Sequence, residues 1–114
     1  MTINWKKQLH KEFKMAEDAR NANNHGKMRV CARRAAGSAI REYLTKRGIT
    51  PPSISAYDLL KYLEGLDETP PDLRLACANL QMRVTEEFQL PINVDLVAEA
   101  KKIVSTLAPD WDKE

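Results

Sequence analysis

The sequence predicts an all-α fold, an up-and-down helical bundle of four main helices plus one short helix. Apolar residues recur three and four positions apart in five stretches, which is the period of an amphipathic helix. Residues that favour turns separate these stretches. The nearest strand candidate, residues 90–94, is short and contains Pro91, so we predict no strand.

The size and composition of the chain exclude several classes of protein. Its 114 residues are 43% hydrophobic and 30% charged and include two Cys, unlike a disordered chain or a disulfide-stapled scaffold. It contains no run of about 18 apolar residues that would span a membrane. The start, residues 1–7, lacks the apolar core of an export signal. We therefore expect a single helical bundle domain over residues 1–114, located in the cytoplasm.

The first two predicted helices differ in the size of their apolar residues. The first, residues 4–20, carries large ones: Trp5, Leu9 and Phe13, followed by Ala16. The second, residues 27–47, carries mostly small ones: Met28, Cys31, Ala32, Ala35, Ala39 and Tyr43. Because small side chains allow helices to approach closely, we place the second helix at the centre of the bundle. Gly37 inside it indicates a close packing contact, and Gly48 is expected to end it.

The third predicted helix spans residues 55–64, with either Ser53 or Ser55 as its N-cap. Its apolar side is expected to hold Tyr57, Leu60 and Leu63, with Leu59 beside them.

The last two predicted helices begin at recognisable capping residues. The fourth has Thr69 as N-cap and Pro70 at its first helical position, and it ends near Phe88. The fifth begins at Asn93 or Asp95 and ends at residues 108–109, which leaves residues 110–114 as a tail.

The net charge of +2 hides a strong asymmetry along the chain. Residues 1–50 hold 12 Lys and Arg against 4 Asp and Glu, whereas residues 51–114 hold 6 basic and 12 acidic residues. Such segregation indicates a basic face that meets phosphate, or faces that attract each other between subunits. The alternative is that the two halves of a bundle neutralise each other internally.

The strongest functional signal is a set of basic residues on the second helix. Lys27, Arg34 and Arg41 are seven residues apart, close to two helical turns, so they line one edge of the helix. Arg29 and Arg33 form a second pair, four residues apart. The arginine guanidinium is a planar fork of donors suited to phosphate. The predicted phosphate-binding residues are Arg29, Arg33, Arg34 and Arg41; the alternative is a solvated face paired with acids from later helices.

The sequence predicts no catalytic residues, metal site or cofactor. It has no Gly-rich phosphate loop and no metal-binding motif. We expect His10 to be solvated and His25 to be an ordinary turn residue, while the adjacent acids at residues 86–87 point about 100° apart on a helix. Cys31 and Cys77, among Ala and Val, are expected to be buried small hydrophobes.

Three segments resemble the HEPN family, small helical bundles found with nucleotidyltransferases and in toxin–antitoxin systems. Residues 16–20 and 33–44 are similar to the two opening helices of that family, in which a small-residue second helix packs on the first. Residues 55–63 are similar to its short third helix. Residues 90–92, followed by a last amphipathic helix, are similar to its closing section.

The resemblance implies a homodimer that binds a nucleotide or RNA phosphate, as an accessory to a nucleotidyltransferase or within a toxin–antitoxin system. Ribonuclease members of the family carry an Arg followed four to six residues later by His. Here Arg83 has no His after it, so the resemblance implies a non-catalytic member.

Two other functions stay open at this stage. A protein-interaction or structural bundle, pairing with itself or another protein, would expose an apolar patch, with Trp5 or Trp111 as candidate members. An enzyme would need His25 together with an acid from another helix.

Overall fold

The computed structural model describes residues 5–82 and 95–111 and shows an all-α helical bundle, with no strand in these two ranges. The predicted fold class is therefore confirmed. The helices are α1 (Trp5–Asn21), α2 (His25–Lys46), α3 (Ala56–Glu64), α4 (Pro71–Gln81) and α5 (Leu96–Leu107).

Helix α2 lies at the centre of the bundle, where it contacts each of the four other helices. Most of its buried residues are Ala, Gly or Cys. The full set is Met28, Cys31, Ala32, Ala35, Ala36, Gly37, Ala39, Ile40 and Leu44. Short side chains on nearly every side let its neighbours surround it. The central position predicted from the small residues is confirmed.

Gly37 marks a close approach between α2 and the start of α3. A Cβ at Gly37 would lie 2.8 Å from the Cβ of Ala56 and 3.0 Å from its Cα, tighter than side chains tolerate. Glycine is therefore required for this approach, which is the packing reason that the sequence indicated.

A three-residue turn joins α1 to α2, so the two helices form an antiparallel pair. Asn23 has a φ of 57°, a conformation that Asn tolerates better than most residues. Asn24 Oδ1 accepts a hydrogen bond from the Lys27 backbone N–H at 3.2 Å. Because Asn24 acts as the N-cap, α2 begins at His25, two residues before its predicted start.

The tail predicted after α5 packs back onto the core at Trp111. The ring of Trp111 is buried, with its centroid 5.0 Å from that of Phe13. Its indole Nε1 donates to Ser105 Oγ at 3.2 Å. Trp5 is half-buried and packs against the same core. Because packing against the core removes these large rings from water, neither forms the exposed apolar patch considered above.

The structure selects one cap for α3 and corrects the cap of α4. Ser55 Oγ accepts from the Asp58 N–H at 3.4 Å, so Ser55 is the N-cap of α3. Helix α4 begins at Pro71 with Pro70 as its N-cap, one residue later than predicted. Thr69 does not cap α4, because its Oγ1 donates to the Leu63 carbonyl at 2.7 Å and so closes the end of α3 instead.

Helix α4 ends at Gln81, so the predicted end near Phe88 is wrong. Met82 has an extended conformation, with φ −66° and ψ 142°, and side chains from α2 bind the carbonyls at this end. Residues 83–94, with the acids at 86–87 and the strand candidate at 90–94, lie outside the described residues.

Asp95 caps α5, since its Oδ1 accepts from the Ala98 N–H at 3.1 Å. Both cysteines are free and buried, as predicted. Burial, with a smaller contribution from Glu64, raises the pKa of the Cys77 thiol to about 12. None of the helices described is long and apolar enough to cross a membrane.

Candidate functional site

The four candidate arginines separate into two pairs with different surroundings. Arg29 Nη1 donates to the Met82 carbonyl at 3.0 Å, and Arg33 Nε donates to the Leu80 carbonyl at 3.0 Å. Both acceptors lie at the C-terminal end of α4, where helix carbonyls lack partners and carry partial negative charge. We call Arg29 and Arg33 the capping pair, because their guanidinium groups close the end of α4.

Arg34 and Arg41 lie on the outward edge of α2 and are exposed. We call them the open pair. Neither forms an ion pair with any Asp or Glu in the part of the chain that the structure describes. Lys27 is exposed on the same edge, as the seven-residue spacing predicted. Among the described residues, this edge therefore carries three exposed basic side chains.

The charge asymmetry of the sequence is partly neutralised within the molecule. Arg20 Nη1 lies 2.8 Å from Asp95 Oδ2, and Lys6 Nζ lies 3.7 Å from Asp110 Oδ2. Lys101 Nζ lies 3.6 Å from Glu17 Oε1. These pairs join α1 to the C-terminal segment, so the internal pairing considered for the two halves holds for α1. Within residues 5–82 and 95–111, it does not extend to the open pair on α2.

The open pair borders a groove of about 580 Å³. Arg33 of the capping pair also lines it, so the fold brings together three of the four predicted residues, and Arg29 lies outside. Gly37 and Ser38 belong to the groove lining between the arginines. Gly37 lies under Ala56 of α3, whereas the small side chain of Ser38 leaves room for a ligand between the two arginines of the open pair.

One wall of the groove comes from α1 and carries an acid that the sequence analysis missed. Glu12 is only 5% exposed. Its Oε1 accepts a hydrogen bond from Gln8 Nε2 at 2.9 Å, whereas its Oε2 has no hydrogen-bond partner among the described residues. The sequence did contain a signal for this acid. Glu12 comes three residues after Leu9 and four before Ala16, a spacing that places it on the core side of α1.

The opposite wall comes from the segment that leads into α3, and it is largely apolar. Ile54 is 90% exposed and Tyr57 is 37% exposed, and Val30 of α2 beside them is 37% exposed. Tyr57, which the sequence places on the same side of α3 as Leu60 and Leu63, stays partly exposed at the start of that helix. The Arg33 guanidinium lies 5.5 Å from the centre of the Tyr57 ring.

The two histidines lie away from this groove. His10 is exposed, and its ring centroid lies 5.0 Å from that of Trp111. His25 is the first residue of α2 rather than a turn residue. No cluster of three or more His, Cys, Asp or Glu that would hold a metal ion occurs within residues 5–82 and 95–111.

Comparison of the chain with protein-family models, curated proteins and solved structures found no match. The similarity to the HEPN family therefore stays a prediction from the residues.

Proposed function

We propose that the chain binds the phosphate of a nucleotide or of RNA in the groove beside α2, without catalysing a reaction. Arg34 and Arg41 bind the phosphate, and Arg33 lines the groove beside them. The observation that carries this proposal is the open pair itself: two exposed arginines on one edge of a buried helix, neither paired with a carboxylate in the described chain.

The spacing of the open pair suits a phosphate group. Seven residues of α-helix separate the two Cα atoms by about 10.5 Å along the axis, so two long side chains reach a single phosphate between them or two neighbouring phosphates. Ser38 lies between them and offers a hydroxyl donor. The groove volume of about 580 Å³ falls in the range of small-molecule sites.

Arg29 has a structural role in this proposal rather than a ligand-binding one. Its guanidinium donates to the Met82 carbonyl, and it lies outside the groove. The phosphate-binding set is therefore narrower than the four arginines that the sequence indicated.

The HEPN resemblance is compatible with this function. It implies a non-catalytic member that forms a homodimer and binds a nucleotide or RNA beside a partner enzyme or within a toxin–antitoxin system. Those partners stay proposals, and the groove supports only the phosphate-binding step.

The test is the affinity for adenosine 5′-triphosphate and for a short RNA, measured by calorimetry or fluorescence at several salt concentrations. A hydrogen bond to a charged group contributes about 1.5–3 kcal/mol, so each of Arg34→Ala and Arg41→Ala is expected to weaken binding at least about tenfold. For RNA, the salt dependence is expected to become shallower in both variants.

Lys27→Ala is the matched control, because it removes one positive charge from the same edge of α2 but outside the groove. Equal losses in Lys27→Ala and Arg34→Ala would indicate a general effect of charge and contradict a defined site.

A second candidate function, binding of a protein partner or a second copy of the chain, is favoured by the apolar side of the same groove. Val30, Ile54 and Tyr57 are exposed at its edge, and exposed apolar patches often mark interaction sites. The check is the mass in solution by light scattering, measured for the unchanged protein and for the Ile54→Ser variant. A monomer at every concentration, and no effect of the substitution on partner capture, would remove this candidate.

A further inference from the structure

The groove contains a negative group beside its positive ones. Glu12 is 5% exposed and lines the groove, and its Oε2 has no hydrogen-bond partner in the described part of the chain. A buried acceptor without a donor is unfavourable. This oxygen has almost no accessible surface, so a donor supplied by a ligand would satisfy it once the carboxylate turns towards the groove. Glu12 is therefore a candidate contact.

Glu12 lies close to the open pair. The pKa of the buried Cys31 thiol is raised first by desolvation and then by the Glu12 charge, and the Arg34 charge opposes this rise. Both charges therefore lie near the same turn of α2. A carboxylate in this position repels a phosphate, so it must face a neutral part of the ligand that carries hydrogen-bond donors.

The wall opposite Glu12 suits the base of a nucleotide. Ile54 and Tyr57 present apolar and aromatic surface there, with Val30 beside them. Nucleobases stack on aromatic side chains with little dependence on base identity. The base therefore matches the apolar wall, and the phosphate matches the open pair.

The sugar connects the phosphate to the base, and its hydroxyl groups are neutral donors on the part of the ligand between those two ends. Carboxylates accept hydrogen bonds from ribose hydroxyls in other nucleotide sites, and the 2′-hydroxyl distinguishes ribonucleotides from deoxyribonucleotides. Resting on the proposed function, we infer that the groove selects ribonucleotides over 2′-deoxyribonucleotides, with the Glu12 carboxylate accepting hydrogen bonds from the ribose hydroxyls.

The experiment compares the binding of adenosine 5′-monophosphate and guanosine 5′-monophosphate with that of their 2′-deoxy counterparts. The unchanged protein is expected to bind each ribonucleotide about tenfold more tightly than its 2′-deoxy form, the size expected for one hydrogen bond to a charged group. The ratio is expected to be similar for both bases, because the sugar carries the discrimination.

Two substitutions at Glu12 separate the role of its charge from that of its shape. Glu12→Gln keeps the shape and removes the charge, so it is expected to reduce the ratio. Glu12→Leu removes both acceptor oxygens and is expected to bring the ratio close to one. Asp18→Asn is the matched control, because it removes one acid from the exposed side of the same helix and should leave the ratio unchanged.

The outcomes distinguish this inference from the function on which it rests. Equal affinity for ribo and deoxy forms, with both still weakened by Arg34→Ala, would overturn the role of Glu12 and leave the phosphate site intact. A tenfold ratio that persists in a folded Glu12→Leu variant would overturn it as well. No binding of any of these nucleotides at millimolar concentration would overturn this inference, and the proposed function falls with it if adenosine 5′-triphosphate and the short RNA also fail to bind.

Discussion

The capping pair and the open pair are two sets of the same residue on the same helix, yet their environments differ. Arg33 and Arg34 are adjacent in sequence, but about 100° of helical rotation separates them. Arg33 donates to a carbonyl at the end of α4, whereas Arg34 projects from the outward edge of α2. The difference shows that position around a central helix decides whether an arginine stabilises the fold or is available to a ligand.

The comparison also explains why the two pairs have different spacings. Arg29 and Arg33, one turn apart, contact the end of one neighbouring helix within a short distance. Arg34 and Arg41, two turns apart, lie along an exposed edge of α2. The four-residue spacing thus places two arginines at one local contact, and the seven-residue spacing places two arginines along one exposed edge.

The largest expected effect comes from removing each pair in turn. The double variant Arg29→Ala/Arg33→Ala leaves the Met82 and Leu80 carbonyls without their donors, so the free energy of unfolding is expected to fall by about 2–4 kcal/mol. The variant Arg34→Ala/Arg41→Ala loses the same charge, and we expect a change within about 0.5 kcal/mol. Urea denaturation measures both. Equal losses in the two variants would break the distinction between the pairs.

A smaller effect is expected at Gly37, which lies between the two edges. The methyl group of Gly37→Ala meets Ala56 at 2.8 Å, so α3 must shift away from α2. Overpacking of this kind costs about 1–3 kcal/mol, and the better helix propensity of Ala offsets up to about 1 kcal/mol of it.

The control for this prediction is Ser38→Ala on the neighbouring position of the groove floor, which is expected to leave stability nearly unchanged. Thermal unfolding of both variants provides the comparison. A Gly37→Ala protein as stable as the parent would show that the contact with Ala56 relaxes without cost.

The smallest expected effect is a pH dependence carried by Cys77 on α4, the helix that the capping pair holds. Its folded pKa of about 12 lies above the ordinary thiol value of about 8.5, so unfolding lets the thiol ionise at high pH. The stabilisation is complete below pH 8.5 and is lost as the pH rises towards 12. From pH 8.5 to 9.5 the free energy of unfolding is expected to fall about 1 kcal/mol more than in Cys77→Ala.

The comparison with Cys77→Ala isolates the thiol, because lysine titration contributes equally to both proteins. Identical pH slopes would mean that the Cys77 side chain reaches water without unfolding. The same measurement on Arg29→Ala/Arg33→Ala sharpens the comparison of the two pairs, since a loosened α4 should reduce the slope.

Predictions from the sequence were accurate where local pattern decides the structure and wrong where a distant side chain intervenes. The central position of α2 followed from its small residues. The start of α4 differed because Thr69 donates to the end of α3. Its end came earlier than predicted, at a point where arginines of α2 bind the last carbonyls. The groove itself required the placement of Glu12 and Tyr57 from two other segments, which no spacing within α2 encodes.

The sequence by itself determined the helical architecture and the exposed seven-residue row of basic side chains, because amphipathic period and residue size act within a single helix. The tertiary structure alone decided which arginines bond to the end of α4 and which acid lines the groove with the exposed ones. The physical reason is that a guanidinium bonds whatever acceptor lies within about 3 Å, and that neighbour is set by packing between helices that are distant in sequence.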